Sequence, residues 1–386
     1  MANAPVSRAA LESAILAWMA EPDWRRDEDR FDALALGLFR FQYGACEPYR
    51  LYCDSLGRIP EGVACANEIP VVPTGAFKEF ELRCFPAEKT LLTFRTSGTS
   101  TERRGTLHLD TLLPYETSLL ASLRRGFLTD LCGHRSTMRF LAPSRRDAPD
   151  SSLTHMFETL VAAEGNDQSG FDLKPEGIDL ASLSRAVETA RRSSEPIVLA
   201  GTSFAFVHFL DATGPTEAWW LPAGSRVLET GGFKGKSREV PREVLRVELA
   251  RRFGIAERSV VNQYGMTELG SQFYDSTLVD PTGPRRKLIP PWTRVRFVDP
   301  DSGEDVPSGE IGVVVIHDLA NTGSVAALQT SDLGRTIPAA TGEGFDVLRR
   351  AEGAEQRGCS IAVDSMLGRP AAGPGERSES RAGRQR

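Results

Sequence analysis

The chain has 386 residues, of which 40% are hydrophobic and 25% charged, which is ordinary for a globular protein with one large or two domains. No stretch reaches the roughly 18 continuous apolar residues of a membrane span, and no basic-then-apolar signal pattern opens the chain, so we expect a cytoplasmic protein without a membrane span. The net charge of −6 argues against general nucleic-acid binding, and the six cysteines show neither C-x-x-C spacing nor the histidine pairing of a zinc site.

The N-terminal part of the chain carries two helical patterns. The first lies between residues 8 and 20, and the second apolar face runs from Phe31 to Phe41. We therefore predict a helical cap over residues 1–64. A proline-broken extended segment at residues 69–78 leads from this cap into the main part of the chain.

A hydroxyl-rich turn follows the apolar run that ends at Phe94. The turn is Arg95-Thr96-Ser97-Gly98-Thr99-Ser100-Thr101-Glu102-Arg103-Arg104-Gly105. Glycine lets backbone N–H groups converge on phosphate oxygens, the hydroxyls donate further hydrogen bonds, and arginine supplies positive charge. The pattern predicts a nucleotide phosphate loop, although polar surface hairpins use the same residue types.

Strand and helix patterns alternate from residue 115 to residue 264. Helices are predicted over 115–131, 182–193 and 244–253, and short buried strands over 138–141, 196–200, 226–228 and 259–261. The polar turn that ends at 149–153 opens a further helix, with Ser and Asp residues available as caps, and for Asp150 we expect capping rather than substrate contact. This alternation predicts the α/β class, with a mostly parallel sheet, covering helices, and ligands at the carboxyl ends of the strands.

The pattern changes beyond Pro281. Apolar and polar residues alternate over 294–298 and 311–316 around Asp, Ser and Gly turns, which predicts antiparallel hairpins in a small β subdomain over 281–340. The residues from 369 to the end lack apolar periodicity, and we predict a disordered tail there.

A second turn with ligand-binding chemistry follows the strand predicted at 259–261. It reads Asn262-Gln263-Tyr264-Gly265-Met266-Thr267-Glu268. Tyr264 offers an aromatic plane for a base, and Glu268 offers a hard oxygen ligand for Mg²⁺.

Together, the two turns resemble the signature of adenylate-forming acyl ligases, the acyl-CoA synthetase-like superfamily. In that family the hydroxyl loop wraps the ATP phosphates, the tyrosine stacks on adenine, and the acid of the same turn ligates magnesium. The resemblance therefore implies ATP and Mg²⁺ as cofactors, with the metal on Glu268. The residues that it assigns to nucleotide binding are Thr96, Ser97, Gly98, Thr99, Ser100, Arg103, Gly231, Gly232, Lys234, Gln263, Tyr264, Gly265, Met266, Asp332 and Arg350. Among these, Asp332 and Arg350 are expected at the ribose.

One branch of the superfamily matches the end of the chain. Residues 348–360 resemble the family's hinge, but fewer than 30 residues follow and none is a lysine, so we expect the usual C-terminal domain to be truncated to a remnant over 341–368. This ending, with the motifs at 149–153 and 230–235, resembles the acyl-protein synthetase of the bacterial luminescence fatty-acid reductase system. Enzymes of that branch activate a fatty acid with ATP and pass the acyl group to a cysteine near their own C-terminus, from which a partner reductase takes it.

The resemblance implies specific catalytic roles. Cys359 is the expected acyl acceptor, with Thr267, Glu268 and Arg104 as further catalytic residues, a carboxylic acid as substrate, and an acyl reductase or carrier protein as partner. The sequence departs from the family where Arg103 and Arg104 replace a typical Pro-Lys pair. We expect one of these two arginines to supply the charge of the missing lysine.

Four other interpretations stay open. Residues 230–237 nearly match the Walker motif, although Thr230 stands where its first glycine belongs. Ser203 follows a predicted strand as a hydrolase nucleophile would, with His317 later in the chain. An acid:CoA ligase resembling phenylacetate-CoA ligase, and a nucleotide-binding regulator without chemistry, are the remaining alternatives.

Overall fold

The computed structural model describes residues 7–97, 103–131, 133–215, 217–231, 237–350 and 366–367. Its α-helices are α1 (Arg8–Met19), α2 (Glu28–Ala45), α3 (Glu47–Ser55), α4 (Ala76–Glu79), α5 (Leu113–Gly126), α6 (Ser152–Glu164), α7 (Leu180–Ser193), α8 (Ser203–Thr213) and α9 (Arg242–Phe253). Its strands are β1 (Val72–Pro73), β2 (Leu92–Arg95), β3 (Thr106–Leu109), β4 (Thr137–Leu141), β5 (Gly170–Phe171), β6 (Leu173–Lys174), β7 (Gly177–Ile178), β8 (Ile197–Thr202), β9 (Arg226–Thr230), β10 (Val260–Tyr264), β11 (Phe273–Tyr274), β12 (Thr293–Val298), β13 (Gly312–Asp318), β14 (Ala327–Ile337) and β15 (Gly344–Arg350).

A six-stranded sheet forms the centre of the molecule, in the order β11-β10-β9-β8-β4-β5. The strands from β10 to β5 are parallel, and only β11 runs antiparallel to its neighbour. Successive side chains of β8 enter different cores: Ile197 and Leu199 pack with α7, α8 and α9, whereas Val198 and Ala200 pack with α5 and α6. Burial on both faces explains why these strands are continuous apolar runs. The predicted α/β class is confirmed.

A second, five-stranded sheet follows in the chain. The strands β12, β13 and β14 are antiparallel, as the hairpin pattern predicts, and β15 continues the antiparallel pairing along β14. The short β1 pairs with β14 in parallel. Both β1 and β15 lie outside the predicted 281–340 range, so this sheet also draws on segments before and after it.

The N-terminal helices α1, α2 and α3 bury apolar side chains against the main core. Arg8 of α1 donates to both carboxylate oxygens of Asp110, at 2.6 and 2.7 Å. Gln42 of α2 donates to the carbonyl oxygen of Asn321 at 2.8 Å, and the Asn321 amide donates to the carbonyl of Glu268 at 2.8 Å. The N-terminal helices are therefore linked by hydrogen bonds to the turn that contains Glu268.

Two local predictions differ from the structure. The helix predicted over 115–131 ends at Gly126, where a Cβ would lie 2.8 Å from the Cβ of Tyr274. The residues beyond it, such as Phe127 and Leu131, are buried without being helical. The N-cap of α6 is Ser151, whose hydroxyl accepts from the Thr154 N–H at 3.2 Å, and not Asp150.

After residue 350, the described part of the chain resumes at Met366. Its side chain is 2% exposed and belongs to the main hydrophobic core, whereas the adjacent Leu367 is exposed. The chain is therefore fixed to the body of the protein at Arg350 and again at Met366. In the part of the chain that the structure describes, none of the helices has the length and apolar character of a transmembrane span.

Lys287 joins the two sheets. Its backbone forms bridges to Asp275, next to β11, and to Phe345 of β15, and its N–H donates to the Phe345 carbonyl at 2.6 Å. The ammonium, on a side chain 3% exposed, donates to Asp275 at 2.8 Å and to the carbonyl of Asn262 at 2.8 Å. Arg285 contacts the other oxygen of the Asp275 carboxylate.

The charges in this junction depend on one another. Burial lowers the pKa of Lys287. Burial alone would raise the pKa of Asp275, but the nearby Lys287 and Arg285 cations outweigh it, so that the pKa lies below its usual value. A carboxyl group with a lowered pKa adds stability above its unfolded pKa, and that stability is lost as the pH falls through its folded pKa.

Replacing Lys287 by methionine should lower the free energy of unfolding by about 3 kcal/mol at neutral pH, because the Asp275 carboxylate would remain buried with one cation fewer. Urea unfolding at pH 7 measures this change. The difference should shrink at acidic pH, where Asp275 of the variant is protonated. Lys89→Met on an exposed 3₁₀ turn is the control, and an equal loss in both variants would contradict the assigned role.

Candidate active site

The carboxyl end of β10 places the second predicted turn. Gln263 is buried, and its carbonyl accepts from the Thr230 hydroxyl of the neighbouring β9 at 3.2 Å, while the two side chains are also hydrogen-bonded. A Cβ at Gly265 would lie 2.6 Å from the side-chain amide nitrogen of Gln263, so a larger residue here would displace the end of that side chain. Tyr264 therefore stands at the edge of the parallel sheet where ligands bind in α/β folds.

Tyr264 lies beside the residues predicted for the ribose. Its hydroxyl donates to the Asp332 carboxylate at 2.8 Å, and Arg350, the residue opposite Asp332 in the β14–β15 pair, approaches the other carboxylate oxygen to 4.0 Å. The Tyr264 ring packs edge-to-face on Phe345. Burial, with the Asp332 charge second, raises the pKa of Tyr264 well above its ordinary value, so the phenol stays protonated and donates. The structure thus brings three predicted site residues together.

The first predicted turn is closed at its base by a pair of hydrogen bonds. The strands β2 and β3 form an antiparallel hairpin, and beyond them the Thr96 N–H donates to the Gly105 carbonyl at 2.9 Å. The Gly105 N–H donates in return to the Thr96 hydroxyl at 2.9 Å. Ser97 is exposed at the start of the loop, and the predicted Gly98, Thr99 and Ser100 lie outside the described residues.

The two turns meet at Glu268. A Cβ at Gly105 would lie 3.5 Å from a carboxylate oxygen of Glu268, a side chain that is 8% exposed. One residue earlier, the Thr267 hydroxyl lies 3.5 Å from the hydroxyl of Ser152 at the start of α6. Segments more than 160 residues apart in the sequence thus lie side by side, and we refer to the region between the two turns as the cleft.

Arg103 and Arg104 of the first turn each have a carboxylate partner. Arg104 donates to Asp150 at 3.0 Å and to the carbonyl oxygens of Thr96 and Arg95 at 2.5 and 3.3 Å. Arg103, which is exposed, donates to Glu79 at 3.1 Å. Arg104 therefore spans the base of the loop, while Arg103 reaches toward α4.

Sequence reasoning missed the contribution of α4. The backbone carbonyl carbon of Phe77 lies 3.6 Å from the position of a Cβ on Gly105, and Glu79 pairs with Arg103. Lys78, between them in the sequence, is half-buried. One signal in the sequence could have pointed to this helix: only six of the 46 basic residues of the chain are lysines, and Lys78 is one of them.

A buried polar layer lies below the end of β9. The Ser203 hydroxyl donates to the Glu229 carboxylate and to the Gly231 carbonyl, the latter at 3.0 Å, and the Asn262 amide donates to Glu229 from the other side. Burial raises the pKa of Glu229. Gly231 turns the chain with a φ of +74°, which favours glycine. The predicted Gly232, Lys234 and Cys359 lie outside the described residues.

Two alternative interpretations do not fit this geometry. A Walker loop leads directly into a helix, but residues 237–241 are non-helical and α9 starts only at Arg242. A nucleophilic serine must be exposed and paired with a base, but Ser203 is buried and bound to Glu229. His317, the proposed base, lies buried on β13 of the other sheet.

A family model described as acyl-protein synthetase, LuxE, matches residues 3–368 of the chain. The long-chain-fatty-acid–luciferin-component ligase of Aliivibrio fischeri is 25% identical over an alignment of 380 residues, gaps included. The alignment covers 93% of this chain and 95% of the relative. The protein of the same name from Vibrio harveyi is 22% identical, with 93% and 94% covered.

Solved structures show the same fold. An open conformation of 2-hydroxyisobutyryl-CoA ligase, in complex with 2-HIB-AMP and CoA, aligns with a TM-score of 0.61 at 13% identity and covers 86% of this chain and 77% of its own. The same ligase in the postadenylation state gives a TM-score of 0.60 at 14% identity, with 85% and 69% covered.

The substitution Tyr264→Phe removes the phenol hydroxyl and keeps the aromatic ring. We expect this change to weaken ATP binding about tenfold, because the Asp332 carboxylate loses its charged hydrogen bond and its fixed position. Calorimetric titration with ATP measures the effect. The matched control is Tyr43→Phe, which removes an exposed Tyr-to-Asp54 hydrogen bond of 2.6 Å, and unchanged affinity in both variants would contradict the assignment.

Proposed function

The chain belongs to the acyl-protein synthetase (LuxE) family, and from this premise we propose that it activates a fatty or related carboxylic acid with ATP and transfers the acyl group to its own Cys359. Membership of the family makes the protein a ligase that activates an acid. The identity of the thiol, the use of ATP and Mg²⁺, and the role of each residue are parts of the proposal.

One observation supports the proposal above the others. The hydroxyl-rich turn and the Tyr264–Glu268 turn lie against each other, with Glu268 beside Gly105 and Asp332 beside Tyr264. A nucleotide in this cleft meets an aromatic ring and a ribose-binding carboxylate at one end, and hydroxyl and guanidinium donors at the other. These are the contacts that a base, a ribose and a triphosphate need.

In the first step, a carboxylate oxygen of the acid attacks the α-phosphorus of ATP. The new O–P bond gives acyl-AMP, and the bond to the β-phosphate breaks to release pyrophosphate. The loop from Thr96 to Arg104 binds the phosphates, Tyr264 stacks on adenine, and Asp332 with Arg350 binds the ribose. In-line positioning and neutralisation of phosphate charge provide most of the catalysis.

The site is compatible with Mg²⁺. Among the described residues, no group of three or more His, Cys, Asp or Glu side chains could hold a metal, and Glu268 is a single carboxylate beside the phosphate loop. Mg²⁺ is commonly held by one or two carboxylates together with substrate phosphates. When bound at Glu268, it would neutralise phosphate charge, and Thr267 would flank it.

In the second step, the Cys359 thiolate attacks the carbonyl carbon of acyl-AMP. The C–S bond forms, the C–O bond to the phosphate breaks, and AMP leaves with its electron pair. Cys359 lies nine residues after Arg350 in the sequence, and a chain of nine residues spans at most about 30 Å when fully extended. Arg350 itself is 4.0 Å from Asp332, so the thiol is tethered within reach of the nucleotide.

The thioester then serves a partner. The relatives are named as fatty-acid ligases of a luciferin component, which supports a long-chain acid and a downstream acceptor. We propose an acyl reductase or carrier protein as that acceptor.

Pyrophosphate exchange tests the first step. Labelled pyrophosphate should enter ATP only when a suitable acid is present, and a panel from acetate to long-chain acids identifies the substrate. Glu268→Gln should lower the exchange at least tenfold, because the metal loses its protein ligand. The control is Glu188→Gln on the exposed face of α7. No exchange with any acid would mean that the chain is a nucleotide-binding regulator.

Intact-mass measurement tests the second step. After incubation with ATP and the acid found above, the protein should gain the mass of one acyl group, hydroxylamine should remove it, and Cys359→Ala should abolish it. Cys65→Ala, at a described and partly exposed thiol, should keep the adduct. Exchange without an adduct, together with acyl-CoA formation on adding CoA, would favour the acid:CoA ligase.

A further inference from the structure

We propose that Asp150 is a positioning residue for the phosphate loop: its carboxylate clamps Arg104 and couples the loop to the turn that carries Thr267 and Glu268. The inference deepens the proposed function and rests on it for the identity of the ligand.

Asp150 lies between two arginines at the base of the loop. Its carboxylate accepts from Arg104 at 3.0 Å and lies 4.0 Å from the Arg95 guanidinium. Its backbone carbonyl accepts from the Arg95 N–H at 2.9 Å. The side chains of Asp150 and Arg104 are 31% and 36% exposed, so solvent screens the pair only in part.

The clamp fixes the start and the end of the loop at once. Arg104 belongs to the end of the loop, but its guanidinium reaches back to the carbonyl oxygens of Thr96 and Arg95 at the start. Asp150 holds that guanidinium in place from outside the hairpin. Without the carboxylate, the guanidinium would keep only the two backbone carbonyl oxygens as acceptors and would lose the side-chain contact that holds it from outside the hairpin.

The same short segment also touches the second turn. Ser151 caps α6, and the Ser152 hydroxyl lies 3.5 Å from that of Thr267. Because Ser151 provides the cap, Asp150 is not needed to start α6, which leaves its side chain for Arg104. Residues 150–152 therefore contact both turns that form the cleft.

This arrangement predicts a specific kinetic effect. A loop that is badly placed loses contacts to the triphosphate but none to the acid. Asp150→Asn should therefore raise the KM for ATP and its dissociation constant about fivefold and leave the KM for the acid unchanged. A general loss of folded protein would instead lower kcat and leave both KM values unchanged.

A double-mutant cycle with Arg104 tests the contact directly. Single variants Asp150→Asn and Arg104→Gln and the double variant are compared in the full chain, with ATP affinity measured by calorimetry and activity by pyrophosphate exchange. If the pair acts as a clamp, Asp150→Asn costs about fivefold in the wild-type background and nothing further in the Arg104→Gln background. Asp150→Glu, which keeps the charge, should recover part of the affinity.

The control is Asp147→Asn in the same turn, where an exposed carboxylate accepts from the Ser144 hydroxyl, and it should leave ATP affinity unchanged. Fully additive effects in the cycle, or tighter ATP binding by Asp150→Asn, would overturn the clamp. Calorimetry needs no acid, so a wild-type protein that binds ATP but shows no exchange would refute the proposed function while still testing the clamp. If the wild-type protein shows normal exchange and Asp150→Asn leaves the ATP affinity and the KM for ATP unchanged, only the clamp is refuted.

Discussion

The cleft depends on the buried junction at Lys287. The backbone of this residue joins the edge of the parallel sheet to β15, and its ammonium donates to Asp275, which follows β11, and to Asn262 of β10, the strand that ends at Tyr264. On the other side of the junction, Phe345 packs on the Tyr264 ring. The hydrogen bond from Tyr264 to Asp332 spans the two sheets, and it forms only if their separation is fixed. A charged group in the interior is costly, and here it is held by the Asp275 carboxylate and by the backbone carbonyl and side-chain amide oxygens of Asn262.

The loop proposed to bind phosphate connects the two strands of a hairpin that has little stability of its own. The β2–β3 hairpin is a separate two-stranded sheet, and an isolated hairpin has marginal stability in water. Its geometry therefore depends on contacts from other segments, chiefly α4 at Phe77 and the turn at Asp150. Ser97 and Arg103, the described residues on either side of 98–102, are exposed, which suits a segment proposed to bind a charged ligand.

The sequence allowed the parallel strands, the β12–β13 hairpin and the position of the two polar turns to be predicted, because each is a local pattern of apolar spacing or turn residues. The proximity of the two turns followed only from the family resemblance. The partner of Asp150 could not be predicted: a polar residue before a helix is an equally good cap, and its actual neighbour, Arg104, lies 46 positions away. The pairing of β1 with β14 and the role of Lys287 are likewise long-range contacts, which depend on how the sheets pack and leave no periodic trace in the chain.

Met366 has a consequence for how an acyl group would travel. Under the proposed function, Cys359 attacks acyl-AMP from a position nine residues after Arg350 and seven before the buried Met366, so the step is intramolecular, with an effective concentration set by the length of this segment. Loading such a thiol is a first-order event, independent of how dilute the enzyme is. The same tether sets a limit on delivery, since a carrier that cannot leave its own protein must hand over its cargo at the surface of the molecule. The acceptor protein has to come to the synthetase.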